Sequence, residues 1–408
     1  MKCRHCNTEV TLVLVDLGSA PPSNAYLTRL TLRRPEKWFP LKVLVCEYCW
    51  LVQAESYSRA AELFNDEYAY YSSFSDQWLL HAKTYVSVMC ERFGLTPASQ
   101  VVEVASNDGY LLQFVKALGI PCVGIEPTAG TAAAARSKGI ETIEEFFGVS
   151  LANKLLAEGK QADLITANNV LAHVPEINDF VAGFRLLLKT TGVATFEFPH
   201  LLQLIANSEF DTIYHEHFSY LSFTTVQQIL TKNGLEVFDV EELGSHGGSL
   251  RVFAQRSGFG SQLLSRKVAN LVQREFEAGI HTPKYYAGFQ ARAEVVKNEF
   301  LGFLVNAKRD GRTVVAYGAA AKGNTLMNYA GVRADLISFV VDRNPAKQGR
   351  YMPGSRIPIV PESHLITLRP DFIVILPWNL RDEVMAQLAY TREWGCAFVV
   401  AVPSLDIL

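Results

Sequence analysis

Three short apolar runs in the middle of the chain each end in polar or turn-forming residues. The runs occupy 101–104, 123–125 and 162–168, and a helical pattern begins at 110, directly after the first turn. Such runs, rich in β-branched residues, predict buried strands, and strands that alternate with helices predict a parallel α/β sheet. Because the carboxyl ends of parallel strands meet at one edge of the sheet, we expect the polar residues to line one ligand crevice. They are Asn107, Asp108, Gly109, Glu126, Pro127, Asn168, Asn169 and His173.

The turn after the first run differs from the glycine-rich turn of dinucleotide-binding enzymes, which has the pattern G-x-G-x-x-G. The equivalent positions here hold Glu103, Ala105, Asn107 and Gly109. Negative charge on Glu103 and Asp108 disfavours a pyrophosphate and suits a cationic ligand. S-adenosylmethionine (SAM) carries an ammonium and a sulfonium, and Glu126 could accept hydrogen bonds from both of its ribose hydroxyls. The order of these features resembles that of class I methyltransferases, whereas an ordinary strand-to-helix turn is the alternative.

Four of the seven cysteines form two C-x-x-C pairs, Cys3 with Cys6 and Cys46 with Cys49. Two such pairs can place four thiolates around one tetrahedral zinc ion. A β-rich insert, including 16–27, would return the chain to the first pair. Four thiolates fill the coordination shell, so the pattern predicts a structural Zn²⁺ site and not a catalytic one. A disulfide is the alternative, which a reducing cytosol disfavours.

The composition excludes several classes of protein. A length of 408 residues allows two or three domains, and a hydrophobic content of 49% is ample for packed cores. The net charge of −3 offers no basic face for nucleic acid. Neither a long uncharged apolar run nor a signal peptide is recognisable. We therefore expect a cytoplasmic protein without a nucleic-acid or membrane partner.

The segment at 210–222, FDTIYHEHFSYLS, concentrates the groups needed for proton abstraction. Histidine titrates near neutrality, a carboxylate can orient an imidazole, and a phenol can donate to a developing oxyanion. We therefore predict a catalytic role for this segment. Its two histidines and the glutamate between them could instead bind a metal, and a polar loop is the third interpretation. These residues are Tyr214, His215, Glu216 and His217.

Two other segments are candidates for substrate contact. In 65–78, NDEYAYYSSFSDQW, Tyr68 and Tyr70 would share a face of an extended chain, which predicts a substrate-facing lid, with a surface loop as the alternative. In 246–251, HGGSLR, a glycine pair would let a substrate approach closely. The candidates in this second segment are His246, Gly247, Ser249 and Arg251.

A second strand, turn and helix unit lies at 313–331, TVVAYGAAAKGNTLMNYAG. A lysine and glycines at the start of its helix favour phosphate binding. It is not a P-loop, because that pattern has wider glycine spacing and a hydroxyl directly after the lysine. Strands at 337–341 and 372–376 complete a second Rossmann-like sheet, for which an inert duplicated domain is the alternative. The candidate substrate-binding residues are Gly318, Lys322, Asn324, Asp342 and Asn379.

The predicted fold is α/β in three parts. Residues 1–66 form a zinc-binding module, 67–256 a class I SAM methyltransferase domain with a Rossmann-like sheet, and 257–408 a second Rossmann-like domain that binds a nucleotide-linked substrate, which the resemblance described next implies to be a sugar nucleotide. In the central domain we expect a fifth strand at 192–199 and a closing antiparallel pair of strands at 235–240 and 249–255.

Seven motifs occur in the order found in the sugar C-methyltransferases of deoxysugar biosynthesis, the family that includes dTDP-4-keto-deoxysugar 3-C-methyltransferases of tetronitrose-type pathways. They span nearly the whole chain and comprise the C-x-x-C pair, YAYYSS, SNDGYL, NNVLAHVP, YHEHFSY, HGGSLRV and YGAAAKGNT. The resemblance implies a three-domain monomer that transfers a methyl group from SAM to C3 of a dTDP-linked 4-keto-6-deoxysugar through an enolate.

The resemblance also implies roles for individual residues. His217 would be the base, and Glu216 would orient or polarise it. Tyr214, with Tyr68 or Tyr70, would hydrogen-bond the oxygen that becomes the enolate, and His173 would face the same pocket. Methyl transfer to oxygen or nitrogen of a sugar nucleotide is the alternative reaction, and a non-catalytic nucleotide-binding scaffold is the alternative class.

Overall fold

The computed structural model describes residues 1–57, 62 and 71–408. The N-terminal module forms an antiparallel sheet in the order β1-β2-β3-β9, whose last strand comes from the central domain. Its strands are β1 (Leu12–Ala20), β2 (Phe39–Val45), β3 (Val52–Ala54) and β9 (Ser219–Tyr220). The insert between the two cysteine pairs is therefore β-rich, as predicted.

The central sheet has seven strands in the order β10-β11-β8-β7-β4-β5-β6. All are parallel except β11, which is antiparallel to both of its neighbours. The strands are β4 (Val101–Val104), β5 (Cys122–Ile125), β6 (Glu141–Ile143), β7 (Ala162–Asn168), β8 (Leu188–Pro199), β10 (Leu235–Leu243) and β11 (Ser249–Arg256). β4, β5 and β7 are adjacent, so the polar residues that follow them meet at one edge, and the predicted closing pair is present.

The C-terminal sheet has the order β14-β13-β12-β15-β16-β17 and is parallel except for β17. Its strands are β12 (Val314–Tyr317), β13 (Val340–Val341), β14 (Ile359–Val360), β15 (Phe372–Ile375), β16 (Ala397–Val400) and β17 (Asp406–Ile407). The predicted second Rossmann-like unit is therefore present.

Helices cover the central and C-terminal sheets. In chain order they are α1 (Asp76–Phe93), α2 (Leu112–Ala117), α3 (Ala129–Ser137), α4 (Val149–Ala157), α5 (Ile177–Leu187), α6 (Leu201–Ala206), α7 (Phe223–Lys232), α8 (Arg266–Ala278), α9 (Pro283–Tyr286), α10 (Phe289–Arg309), α11 (Ala321–Tyr329), α12 (Ser363–Leu368) and α13 (Arg381–Gln387). Within the described part of the chain, none is long and apolar enough to cross a membrane.

Three element boundaries differ from the sequence prediction. β8 begins at Leu188, four residues before the predicted start, because Leu188 already pairs with Ala162. α2 begins at Leu112, because the two residues after Gly109 complete the turn. The strand expected from 337 is regular only at Val340–Val341, because Leu336 and Ile337 still close a turn on Arg333.

The three parts share apolar cores. One cluster joins Val43 of β2 to Phe300 of α10 and Val374 of β15, and another joins Cys46 to Val102 of β4. Burial of apolar area is the main stabilising contribution to folding, so these shared clusters hold the N-terminal module against both neighbours.

Candidate active site

One cavity of about 690 Å³ extends from the carboxyl edge of the central sheet to the N-terminus of α11. Residues from all three parts of the chain line it. Of the residues predicted from the sequence, those that line it are Ala105, Asn107, Glu126, Pro127, Asn168, Asn169, His173, Tyr214, His217, His246, Lys322 and Asn379.

The turn after β4 opens into this cavity. Ala105 and Asn107 adopt the left-handed backbone conformation, with φ of 57° and 48°. Glu126 accepts hydrogen bonds from the backbone N–H of Asn107 at 3.0 Å and of Thr128 at 2.9 Å. Burial raises its pKa above the usual value. The two peptide groups therefore fix a carboxylate at the end of β5, where it can accept hydrogen bonds from ribose hydroxyls.

Three predicted cofactor residues do not line the cavity. Glu103 is fully buried within β4, below the turn, and burial raises its pKa well above the usual value. Asp108 turns away and pairs with Lys138 at 3.3 Å, so much of the expected negative charge is neutralised. Gly109 packs against α3 and its flanks, where an added Cβ would lie 2.4 Å from Ile140 Cδ1. These residues shape the turn and leave contact with a ligand to Ala105, Asn107 and Glu126.

Sequence reasoning missed part of the cofactor end of the cavity. Phe146 and Phe147 follow β6, Leu151 lies on α4, and Trp78 lies on α1. The Trp78 ring stacks on Tyr110, with ring centroids 5.9 Å apart. Aromatic and apolar walls of this kind suit the flat ring of an adenine. No sequence motif with fixed spacing could identify these residues, because they lie on three separate segments of the chain.

His217 lines the cavity and uses one of its two imidazole nitrogens in a hydrogen bond within the protein. Its Nδ1–H donates to the carbonyl oxygen of Thr212 at 2.8 Å, so Nε2 carries the lone pair. Nε2 has no hydrogen-bond partner among the described residues. Burial, with a smaller effect from His173, lowers the pKa of His217 well below its usual value. The side chain is therefore a neutral imidazole able to accept a proton.

The other two members of the His-Glu-His segment point elsewhere. Glu216 was expected to orient His217, but its Oε1 accepts from the backbone N–H and the side-chain amide of Asn24 at 3.3 and 3.2 Å. The carbonyl of Thr212 orients His217 instead. His215 donates from Nε2 to the carbonyl oxygens of Phe39 and Pro40, at 3.2 and 3.3 Å. The three side chains diverge because residues 213–218 form an irregular turn and not a strand with alternating faces.

The alternative of a metal held by this segment finds no support. Among the residues that the structure describes, the cysteine quartet is the one group whose ligand atoms cluster closely enough for a metal. His215, Glu216 and His217 do not form such a group.

His173 and Tyr214 stand beside His217. The His173 ring centroid lies 4.6 Å from that of His217, and the Tyr214 ring centroid lies 4.0 Å from it. His173 Nδ1–H donates to the Glu216 carbonyl at 2.8 Å, and burial lowers its pKa to about 4. The predicted lid tyrosines, Tyr68 and Tyr70, lie outside the described residues.

Lys322 marks the other end of the cavity, in the first turn of α11. Its Nζ donates to Asn379 Oδ1 at 3.2 Å and lies 4.3 Å from the Trp378 ring centroid. Burial lowers its pKa, while Asp211 and Glu209 act in the opposite direction. Lys347, which sequence reasoning missed, lines the same end of the cavity. Lys347 lies 3.7 Å from Asp342 and donates to the Ala319 carbonyl, so Lys322 and the N-terminus of α11 are the groups best suited to a phosphate.

Several predicted substrate residues have structural contacts instead. Arg251 pairs with buried Glu197 at 3.0 Å and with Glu241 at 3.2 Å. Ser249 donates to the Ser245 carbonyl at 3.0 Å. An added Cβ at Gly247 would lie 2.6 Å from Trp378 Cη2, so this glycine permits protein packing and not ligand approach.

In the C-terminal unit, three predicted residues likewise lie away from the cavity. Gly318 packs against Pro377, where an added Cβ would lie 2.5 Å from Pro377 Cδ. Asn324 is fully buried within α11. Asp342 accepts from the backbone N–H of Ala319 and of Asn344, both at 2.8 Å, and so stabilises the turn before Lys322.

The two C-x-x-C pairs come together as predicted. The four sulfur atoms lie within 4.8 Å of one another. The Sγ atoms of Cys3 and Cys49, and those of Cys6 and Cys46, are 3.5 Å apart, well beyond a disulfide bond length of about 2.05 Å. A hydrogen bond from Cys49 lowers the pKa of Cys3 to about 4. Four converging thiols, one already inclined to ionise, fit a structural zinc ion.

The fold and the cavity together define a class I SAM-dependent methyltransferase. Family models match residues 3–64 as "Putative zinc binding domain", 81–240 as "Methyltransferase domain" and 244–403 as "C-methyltransferase C-terminal domain". The chain is 33% identical to the C-methyltransferase NovU of Streptomyces niveus over 407 residues, which covers 100% of this chain and 96% of NovU. The chain therefore belongs to the family of SAM-dependent C-methyltransferases.

Solved methyltransferase structures are similar to part of the chain. A SAM-dependent methyltransferase from Clostridium acetobutylicum is 14% identical and covers 43% of this chain and 91% of its own, with a TM-score of 0.35. Magnesium protoporphyrin IX methyltransferase from Synechocystis, with bound SAM, is 17% identical and covers 45% of this chain and 82% of its own, with a TM-score of 0.34.

Proposed function

We propose that the protein methylates C3 of a nucleotide-linked 4-keto-6-deoxysugar, with dTDP as the nucleotide, in deoxysugar biosynthesis. One observation supports the proposal: His217, whose Nε2 has no hydrogen-bond partner among the described residues, lines a cavity that Glu126 and Lys322 also line. The base thus lies between a site suited to a cationic nucleoside and a site suited to phosphate.

The chemistry follows from the ketone of the proposed substrate. A carbonyl at C4 acidifies the hydrogen on C3, and His217 Nε2 takes that proton. The electron pair of the broken C–H bond forms the enolate double bond, and the negative charge moves to the C4 oxygen. The Tyr214 hydroxyl donates to that oxygen, and His217 later releases the proton to water.

The methyl acceptor is then the C3 carbon of the enolate. Bound SAM supplies an electrophilic methyl group on its sulfonium. Ala105, Asn107, Glu126 and Asn168 would hold it, and the buried Asn168 Nδ2, which has no partner among the described residues, is a donor in place for it. The apolar walls exclude water, which would otherwise protonate the enolate.

Product analysis tests the proposal. Incubation with methyl-labelled SAM and a dTDP-4-keto-6-deoxyhexose is expected to place the label on C3, as read by NMR. Label on oxygen or nitrogen would contradict carbon methylation. Label on C5, the other carbon beside the ketone, would contradict the assigned position. GDP- and UDP-linked analogues test the nucleotide.

A further inference from the structure

Among the described residues of the N-terminal module, Asn24 is the one that lines the cavity. It lies in the loop after β1, far along the chain from the catalytic segment. Its position in the cavity wall gives the zinc-binding module a direct place beside the reacting groups.

Glu216 fixes the Asn24 side chain. Both the backbone N–H and Nδ2 of Asn24 donate to Glu216 Oε1, at 3.3 and 3.2 Å. Glu216 is 1% exposed, and its Oε2 has no partner within the described part of the chain. The buried Glu216 carboxyl accepts a hydrogen bond from Asn24 Nδ2. It therefore fixes the orientation of the Asn24 amide, because only the NH2 group of the amide can donate to it.

The amide oxygen of Asn24 can accept a further hydrogen bond. The Tyr26 hydroxyl approaches it at 3.4 Å, but that hydroxyl lies only 2.5 Å from the Ala319 carbonyl, to which it gives its one proton. The carbonyl contact is therefore the strong one. Asn24 Oδ1 remains an acceptor for a ligand hydroxyl.

Asn24 also lies between the two ends of the substrate site. Its Nδ2 contacts Glu216, the neighbour of His217 in sequence, and its Oδ1 lies near Tyr26, which contacts the turn before α11. A ligand with its diphosphate at Lys322 and its ketone near His217 would carry its hexose ring past Asn24.

We propose that Asn24 is a substrate-contact residue that accepts a hydrogen bond from a hydroxyl of the hexose, and that Glu216 is a positioning residue that holds Asn24. This inference rests on the function proposed above. It changes the role of Glu216, which then acts on substrate affinity through Asn24 and not on the basicity of His217.

Steady-state kinetics with the dTDP-4-keto-6-deoxyhexose and SAM tests the inference. Asn24→Ala should raise the KM for the sugar nucleotide roughly three- to tenfold, the effect of one lost hydrogen bond, with kcat and the KM for SAM unchanged. Glu216→Met should give the same change, and the double variant no more than either. Glu216→Gln keeps an acceptor for the Asn24 amide and should restore a KM near that of the wild type. Asn233→Ala, which removes a half-buried amide outside the cavity, is the control.

The outcomes separate the two proposals. Failure of the wild-type protein to methylate the sugar would overturn the proposed function and this inference with it. Wild-type turnover with an unchanged KM in Asn24→Ala would overturn the inference alone. A loss of kcat in Glu216→Gln, with normal thermal unfolding and normal SAM binding, would assign Glu216 to the base and would also overturn it.

Discussion

At the scale of single residues, the catalytic assignment depends on the tautomer and the pKa of His217. The Thr212 carbonyl holds the proton on Nδ1, and burial keeps the ring neutral. A buried imidazole is usually a poor site for a positive charge, so proton uptake here must be brief and coupled to enolate formation.

The pH dependence of kcat/KM should report this lowered pKa. The base acts only when unprotonated, and a folded-state pKa below 6.5 keeps it unprotonated at lower pH, so activity should fall only below pH 6.5. A pH profile at saturating SAM measures this. The acid limb should be unchanged in His364→Gln, which replaces an exposed histidine. An acid limb at or above 6.5 would contradict a buried neutral base.

Lys322 should contribute to substrate affinity and not to SAM affinity. Lys322→Met removes a charge-assisted contact to phosphate, so we expect the KM for the sugar nucleotide to rise about ten- to a hundredfold. Lys308→Met, which breaks the surface pair with Asp335, serves as the control. An equal rise in the KM for SAM would instead place Lys322 at the cofactor.

The chemistry of the residues in a short motif could be predicted from the sequence, but the directions in which their side chains point could not. The clustering of the four cysteines, and the presence of Asn107, His217 and Lys322 in the cavity wall, could be predicted because residue type and spacing carry the chemistry. The roles predicted for Arg251 and Glu216 differ from their contacts in the structure, because a charged residue near a catalytic motif can equally face a buried partner. Asn24 carried no signal, since a lone asparagine between turn residues is typical of any loop.

At the scale of elements, the pairing of β3 with β9 connects the zinc-binding module to the catalytic segment. Gln53 pairs with Ser219, two residues after His217. Arg4, inside the first C-x-x-C pair, donates to the Phe218 carbonyl at 3.1 Å, and its guanidinium lies 5.4 Å from the Phe218 ring centroid. The residues after His217 are thus held by the zinc-binding module.

Arg4→Met should therefore loosen β9. Loss of this hydrogen bond and ring contact should lower the free energy of unfolding by about 1–2 kcal/mol and speed amide exchange at 218–220. Exchange mass spectrometry and urea unfolding provide the measurements. Arg92→Met removes a comparable arginine, stacked on Phe253 outside the catalytic segment, and should leave exchange at 218–220 unchanged. Unchanged exchange in Arg4→Met would show that β3 alone holds the segment.

At the scale of the whole molecule, the fold class could be predicted because three strands that alternate with helices along the chain are typical of a parallel α/β sheet. The meeting of the three parts at one cavity was expected only from their order along the chain. The pairing of β9 with the N-terminal sheet could not be predicted, since two-residue strands have no periodicity. The shared cores could not be predicted either. They depend on which apolar faces from different parts of the chain pack together, and no local sequence pattern contains that information.

The proposed reaction depends above all on an enolate, with His217 as the base that forms it. Solvent deuterium exchange at C3 of the dTDP-4-keto-6-deoxyhexose, followed by NMR without SAM, tests it most directly. We predict exchange with the wild-type protein and none above background with His217→Asn, while that variant still binds SAM. Exchange at the wild-type rate in His217→Asn, or no C3 exchange with the wild-type protein, would contradict the account.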